Sequence, residues 1–258
     1  MSPMKADRPT AGGGRQYHIE TGPGDLAERC ILVGSPERAE LIATELFEKS
    51  RKVGDHRGLR SFTGQYGGVP MSVVTTGMGS ASTGIVLPEA VRTGARAFIR
   101  VGTCAALWSE VELGDAAICT AAVRLDGASE NWAPIEYPAA AHWRVVAALH
   151  DAAECLRLPF HAGIGVTTTC FNEGQARPDD NDYIPPRILA MHEELVQRGA
   201  LFYSMEEATL FVWCSTHGGY PCGAVDAVIG NRIRNTFRVG GEKNAALIAC
   251  EALARLRL

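Results

Sequence analysis

Ile31-Leu32-Val33-Gly34-Ser35-Pro36-Glu37-Arg38 decides how the chain folds. Three apolar residues ending at a Gly read as a short buried strand. Ser35 then offers a capping hydroxyl and Pro36 stands at the first helical position, so a helix is expected over 37–47. A strand that hands directly to a helix opens an α/β unit, and the alternation runs on along the chain. Strands are expected at 69–76, 97–101, 161–169 and 222–229, with two extended pieces within 111–123 around Gly114-Asp115. Helices are expected at 82–93, kinked at Pro88, and at 139–157, 188–198, 206–217 and 242–256. Nearly continuous apolar strands between helices imply a three-layer α/β sandwich with a mixed central β-sheet. Without a linker or repeat, 16–258 reads as one domain behind a loosely held, polar arm at 1–15.

Composition narrows the function. The 258 residues carry 29 acidic and 25 basic side chains, a net charge of −4, which argues against a general nucleic-acid binder. No apolar run reaches the roughly 18–20 residues of a membrane span, and the Gly-rich start lacks the apolar core of a signal peptide. A soluble, cytoplasmic protein without a membrane partner is expected. The eight Cys are scattered without a C-x-x-C pair and the seven His without H-E-x-x-H. Reduced core thiols and no metal site are therefore expected.

In such folds ligands bind beyond the carboxyl ends of strands, and the polar residues expected there form one candidate set. Gly34-Ser35-x-x-Arg38 brings free helix N–H groups and a guanidinium together: an anion site, or a plain capped helix with a solvated Arg. A cation in that first turn is unfavourable for the helix and calls for a compensating charge. Gly77-Met78-Gly79 is no dinucleotide fingerprint, because Ser82 stands at the third Gly position and the next strand ends in Arg100, not an acid. It suits a close backbone approach to a smaller ligand. Arg100 at the end of an apolar strand is costly unless paired; with Thr103 it reads as a second anion arm or as a structural ion pair. Gln175 and Arg177, two apart, point the same way in an extended segment. An amide and a guanidinium together can read a planar lactam, a solvated loop being the plainer alternative. Met205-Glu206 opens a helix, where the acid can grip vicinal hydroxyls or, with Ser204 as cap, merely favour the helix dipole.

Taken in order, these motifs resemble the nucleoside phosphorylase-I family, and within it the uridine-cleaving branch. The resemblance covers about 18–256. It rests on Gly34-Ser35-Pro36-Glu37-Arg38, His56-Arg57, Arg100-Val101-Gly102-Thr103, 123–129, Phe171-x-x-Gly174-Gln175-x-Arg177, Met205-Glu206 and Asn231-Arg232. It implies a phosphorylase/hydrolase-like α/β fold and the reversible phosphorolysis of uridine to uracil and ribose 1-phosphate. It also implies roles. Gly34, Arg38, Arg100 and Thr103 would bind phosphate, with Arg57 reaching over from a neighbouring subunit. Met205 and Glu206 would hold ribose, with His18 contributed by the partner, and Phe171, Gln175 and Arg177 would read uracil. Arg100, Gln175, Arg177 and Glu206 would carry the catalysis, with phosphate as co-substrate and no cofactor. The implied assembly is a dimer, gathered into a hexamer as a trimer of dimers.

The chemistry suits these residue types. Breaking an N-glycosidic bond builds positive charge on the sugar and negative charge on the base. Arginines can hold the attacking dianion in line, and Gln175 with Arg177 can meet the charge forming on uracil. Four departures from the family pattern stand out. Ser35 replaces an Asp, Gly58 replaces a Glu of an intersubunit potassium site, Ser204 replaces a Glu, and Ala105-Ala106 follows Cys104 where a Gly is usual. Gly58 argues against potassium, and Ser204 leaves the choice between ribose and deoxyribose open. Two rivals share the fold. A purine phosphorylase would be expected to protonate its base with an Asp where this chain has Asn231, and Asp226 does not match that position. A nucleosidase would have no use for three phosphate-binding arginines.

Overall fold

Where Ser35 and Pro36 break the apolar run, β1 (Arg29–Val33) passes into α1 (Pro36–Glu45), and the Ser35 hydroxyl accepts the Arg38 N–H at 3.2 Å. The computed structural model describes residues 6, 7 and 9–258; part of the expected arm, 1–5 and 8, lies outside the described residues. Two strands that the sequence reading leaves unassigned follow, β2 (Glu48–His56) and β3 (Leu59–Tyr66), then β4 (Val69–Thr75). Both hairpin turns have two residues at positive φ, Arg57-Gly58 (55° and 78°) and Gly67-Gly68 (54° and 80°). That is the primed turn geometry that matches strand twist. It gives Gly58 a conformational reason to replace a larger residue.

The chain continues through α2 (Ser80–Thr93), β5 (Ala97–Ala106), β6 (Ala116–Leu125) and β7 (Ala139–Ala140). After these come α3 (Trp143–Leu156), β8 (Phe160–Thr168), α4 (Pro186–Gln197) and β9 (Phe202–Ser204). Finally α5 (Glu207–Thr216), β10 (Cys222–Asn231), β11 (Thr236–Phe237) and α6 (Glu242–Arg255) complete the described chain. The helix expected over 139–157 starts only at Trp143, because Ala139 and Ala140 pair with β6 and His142 caps the helix. Only one strand forms in 111–125; Glu112 to Asp115 is a turn closed by the Asp115 carboxylate on the Glu112 N–H at 3.1 Å.

The mixed sheet runs β11-β10-β6-β8-β9-β5-β1-β4-β3-β2, with β5 also pairing β10. The circuit β5-β10-β6-β8-β9 therefore closes on itself, and β5 continues past its expected end at 101 to reach β9 through Ala105 and Ala106. Alternate strand residues feed two cores. Leu32, Phe98 and Ala224 face α2 and α5, whereas Ile31, Ile99 and Val225 face α1, α3 and α6. This gives the helix–sheet–helix layering expected from the sequence, with part of the middle layer curled into a ring. Among the described residues no helix is long and apolar enough to cross a membrane, and all eight Cys are free, Cys155 and Cys170 exposed and six buried.

Candidate active site

A pocket of about 220 Å³ opens where β1, β5, β9 and β10 meet the loop after β8. Every expected site residue borders it except His18 and Arg57. Side-chain contacts sort the lining into three groups: Arg38 with Glu242, Arg100 with Glu206, Glu207 and Asp226, and Arg177 with Gln175.

In the pocket wall Gly34 and Ser35 leave β1, and Arg38 rises from the first turn of α1. The compensating charge that the sequence called for is Glu242 at the start of α6, 2.7 Å from Arg38 Nη2. Arg38 Nη1 reaches the Val101 carbonyl at 3.3 Å, while its buried Nε–H has no acceptor among the described residues. Thr103 stands half-buried in the same wall.

Arg100 lies within β5, not at its end, and is buried with three carboxylates around it. Nη1 meets Glu207 at 2.8 Å and also Asp226, while Nη2 meets Glu206. Gly102 makes this possible: a Cβ there would overlap the guanidinium and the Asp226 Oδ1. The two-residue spacing that puts 100 and 102 on one face of β5 also sets Gly102 opposite Asp226 of β10. Burial pushes the Asp226 carboxyl well up, Arg100 opposing and Glu207 adding to the rise. Burial also acts on Glu207, but there Arg100 and hydrogen bonds from Asp226 and Ser204 win and hold the carboxyl below its usual range.

Glu206, at the N-cap of α5, bridges Arg100 and the turn at 77–79. Its Oε1 accepts the Gly79 N–H at 2.6 Å, and the neighbouring Met205 carbonyl accepts the Ser80 hydroxyl at 2.7 Å. The Gly-Met-Gly turn thus approaches an acid of the site, with φ of 73° at Gly77 and 89° at Gly79. Its middle residue, Met78, is 84% exposed on the pocket rim.

In the loop after β8, Arg177 Nη1 donates to Gln175 Oε1 and to the Phe171 carbonyl, both at 2.5 Å, and the guanidinium lies 3.8 Å from the Phe171 ring centroid. Gln175 Nε2 donates to Thr168 Oγ1 at 3.1 Å. Burial and the neighbouring Arg232 draw Arg177 down to about 10, which leaves it charged at neutral pH. Arg232 itself is fixed by the Ala176 carbonyl at 2.8 Å.

Other quoted motifs are structural. Asn231 donates to the Trp108 and Val111 carbonyls and accepts from the Ile233 and Arg234 N–H groups, so it is spent on a turn. Arg124 and Asp126 of the 123–129 motif tie that loop to Ser129, and Asp126 also accepts from Thr209 in α5. His18 and Arg57 both stand against Tyr17 and do not line the pocket. His18 pairs with Glu89 of α2 at 2.8 Å, and exposed Arg57 stands 5.9 Å from the Tyr17 ring. Sequence reasoning missed Glu207 and Glu242 as partners of the arginines, and set Asp226 aside. The signal available was an acid inside an otherwise apolar strand, which implies a buried cation nearby.

A sequence pattern described as the phosphorylase superfamily matches residues 28–255. A uridine phosphorylase of Thermococcus kodakarensis is 42% identical over 250 residues, covering 97% of this chain and 90% of that protein. A uridine phosphorylase of Klebsiella aerogenes is 35% identical, covering 93% and 97%. A guanosine phosphorylase of Halorubrum lacusprofundi is 31% identical, covering 90% and 88%. With a match over nearly all of its length and a pocket bordered by most of the residues expected from its motifs, the chain belongs to the phosphorylase superfamily.

Proposed function

We propose that this chain is an enzyme that catalyses the reversible phosphorolysis of uridine, giving uracil and ribose 1-phosphate. The observation that carries the reading is one pocket that brings together two arginines, an acid and an amide–guanidinium pair beside an aromatic ring. Phosphate would lie against Gly34, Arg38, Arg100 and Thr103. Ribose would lie over Met205 with its hydroxyls toward Glu206, and uracil would meet Phe171, Gln175 and Arg177. Relatives named uridine phosphorylase support the same substrate.

In the forward direction a phosphate oxygen attacks C1′ as the C1′–N1 bond breaks, and the bonding pair leaves on uracil. The arginines hold the dianion in line, and the phosphate charge supports the cationic sugar. Arg177 and Gln175 lower the energy of the uracil anion. Each charge-assisted hydrogen bond contributes about 1.5–3 kcal/mol. The residues need no metal or organic cofactor for this step, and phosphate is the co-substrate.

His18 and Arg57 sit outside their own chain's pocket, which supports a dimer in which each reaches its neighbour's ribose and phosphate; a trimer of such dimers is the assembly we propose. The absence of a membrane-crossing helix among the described residues and the free thiols support a cytoplasmic setting. Similarity to a guanosine phosphorylase favours keeping one second reading, a purine substrate. Assay of purified protein across a nucleoside panel, with and without phosphate, separates them. Uridine should be cleaved only with phosphate and give ribose 1-phosphate. Faster cleavage of guanosine or inosine would establish the purine reading, and free ribose without phosphate a nucleosidase.

A further inference from the structure

Arg100 has more acid around it than a single guanidinium can balance. Glu206, Glu207 and Asp226 all touch it, and all three are buried. Three ionised carboxylates against one cation would leave two uncompensated charges in the interior, which is costly. It would also place excess negative charge beside a site expected to take a phosphate dianion. The two acids on Nη1 resolve this differently from Glu206. Glu206 has a backbone donor at Gly79, and Glu207 has the Ser204 hydroxyl. Asp226 Oδ2 is buried and has no donor among the described residues. Asp226 and Glu207 lie within hydrogen-bonding reach of each other. A proton placed on Asp226 turns that contact from acceptor facing acceptor into a hydrogen bond, and leaves Arg100 with two charges instead of three.

We propose that Asp226 and Glu207 are a positioning pair for Arg100: sharing one proton, they hold the guanidinium folded over Gly102 and keep the anion end of the pocket receptive to phosphate. The inference rests on the phosphorolysis reading of this site. The groups facing Asp226 are Arg100 and Cys104 of β5, Cys119 of β6, and Glu206 and Glu207 at the start of α5. Both thiols are pushed far up by burial and stay neutral, so the exchangeable proton belongs to the carboxylates. Burial and Glu207 raise Asp226 against the pull of Arg100, whereas Glu207 is held down, which puts the proton on Asp226. When pH rises far enough to remove it, a third buried charge appears beside Arg100 and phosphate should bind less well. The sign follows from a raised carboxyl: its neutral form persists upward in pH and is lost last.

Asp226→Asn copies the protonated acid, with an oxygen for Arg100 and an N–H for Glu207. Asp226→Ala removes both. The phosphate KM and the uridine KM of wild type and both variants should be followed from pH 6 to pH 9.5. At pH 6 Asp226→Asn should follow wild type for phosphate, and Asp226→Ala should show a phosphate KM at least about tenfold higher, with a much smaller change for uridine. Any climb of the wild-type phosphate KM above that of Asp226→Asn should come only toward high pH, because only wild type can gain the charge; ionisation of phosphate itself is common to both. The rise in Tm caused by inorganic phosphate gives the same comparison without turnover. If wild type shows no such rise at pH 6 and no phosphate-dependent cleavage, the phosphate site is elsewhere and both readings fall. If phosphate protects wild type but Asp226→Asn is as impaired as Asp226→Ala, or the wild-type phosphate KM already exceeds that of Asp226→Asn at pH 6, the positioning pair alone is overturned.

Discussion

Arg177 Nη1 donates to Gln175 Oε1 at 2.5 Å, and Gln175 Nε2 donates onward to Thr168 Oγ1 at 3.1 Å. The chain of donors fixes which way the buried amide faces before any ligand arrives. Such preorganisation matters most where charge appears only in the transition state. Arg177→Ala should therefore lower kcat for uridine as well as raise its KM, by about tenfold or more in kcat/KM. Cytidine, whose amino group would face the guanidinium donor to donor, should react at least about tenfold more slowly than uridine in the wild type. Thr168→Val leaves the amide free to turn, and should lower kcat/KM for uridine several-fold while sparing the phosphate KM. Steady-state kinetics with uridine and cytidine at saturating phosphate decide this; an unchanged uridine rate in Arg177→Ala would remove the base assignment.

The pairing of Arg38 with Glu242 leads to a second expectation. Glu242 compensates a cation placed at the unfavourable end of α1, yet it occupies only one of the guanidinium's donors. Arg38→Ala should raise the phosphate KM by roughly 10- to 100-fold, the equivalent of a lost charge-assisted hydrogen bond. Glu242→Gln keeps the cation and removes its competitor, so its phosphate KM should stay at or below the wild-type value. Phosphate titrations of both variants at fixed uridine are the check. An Arg38→Ala enzyme with wild-type phosphate use would show that α1 does not hold the anion.

The arrangement of layers was legible because apolar strands and capped helices carry local signals. The Ser35-Pro36 start of α1 is a clear example. The β2–β3 hairpin was not, since β2 faces water along much of its length and offers no apolar alternation. Its turn, Arg57-Gly58, puts an Arg at positive φ, which the residue type does not announce. The ring formed by β5, β10, β6, β8 and β9 depends on pairings distant in sequence, which no local pattern encodes. For the site, the arginines and the Gln175–Arg177 pair were legible as polar residues beside apolar runs. What neutralises the arginines was not: Glu242 is 204 positions from Arg38, and Asp226 is 126 from Arg100.

Gly102 supports a third prediction, one that concerns stability and binding together. It permits Arg100 to fold back toward Asp226, and a methyl group there would overlap both. Gly102→Ala must therefore expel the guanidinium from its acids or shift β5 against β10. Overpacking of this kind costs about 1–3 kcal/mol, with more for carboxylates left without their cation. The variant should have a clearly lower Tm and should lose most of the stabilisation that inorganic phosphate gives the wild type. Thermal unfolding with and without phosphate measures both effects. A variant of wild-type Tm that phosphate still protects would mean that Arg100 need not lie over Gly102.

The last prediction follows from His18 and Arg57, which both border Tyr17 and do not line the pocket of their own chain. His18 is held by Glu89, through both its backbone and its ring, so the segment is pinned to α2 and cannot swing into its own site. Arg57 is exposed on the two-residue turn between β2 and β3 and does not line the pocket. If both act on ribose and phosphate, they act across a two-fold dimer. An Arg57→Ala chain then keeps a sound Glu206 but donates nothing, and a Glu206→Ala chain donates Arg57 but has no working pocket. In a mixed dimer one pocket joins the intact Glu206 of the first to the intact Arg57 of the second, and the other lacks both. Random exchange at equal amounts makes half of the dimers mixed, so about one quarter of all pockets should be restored. Activity should rise toward that fraction of wild type after subunit exchange, in step with the mixed species seen by native mass spectrometry. Full activity in a monomer by light scattering, or no gain once mixed dimers are present, would place the whole site within one chain.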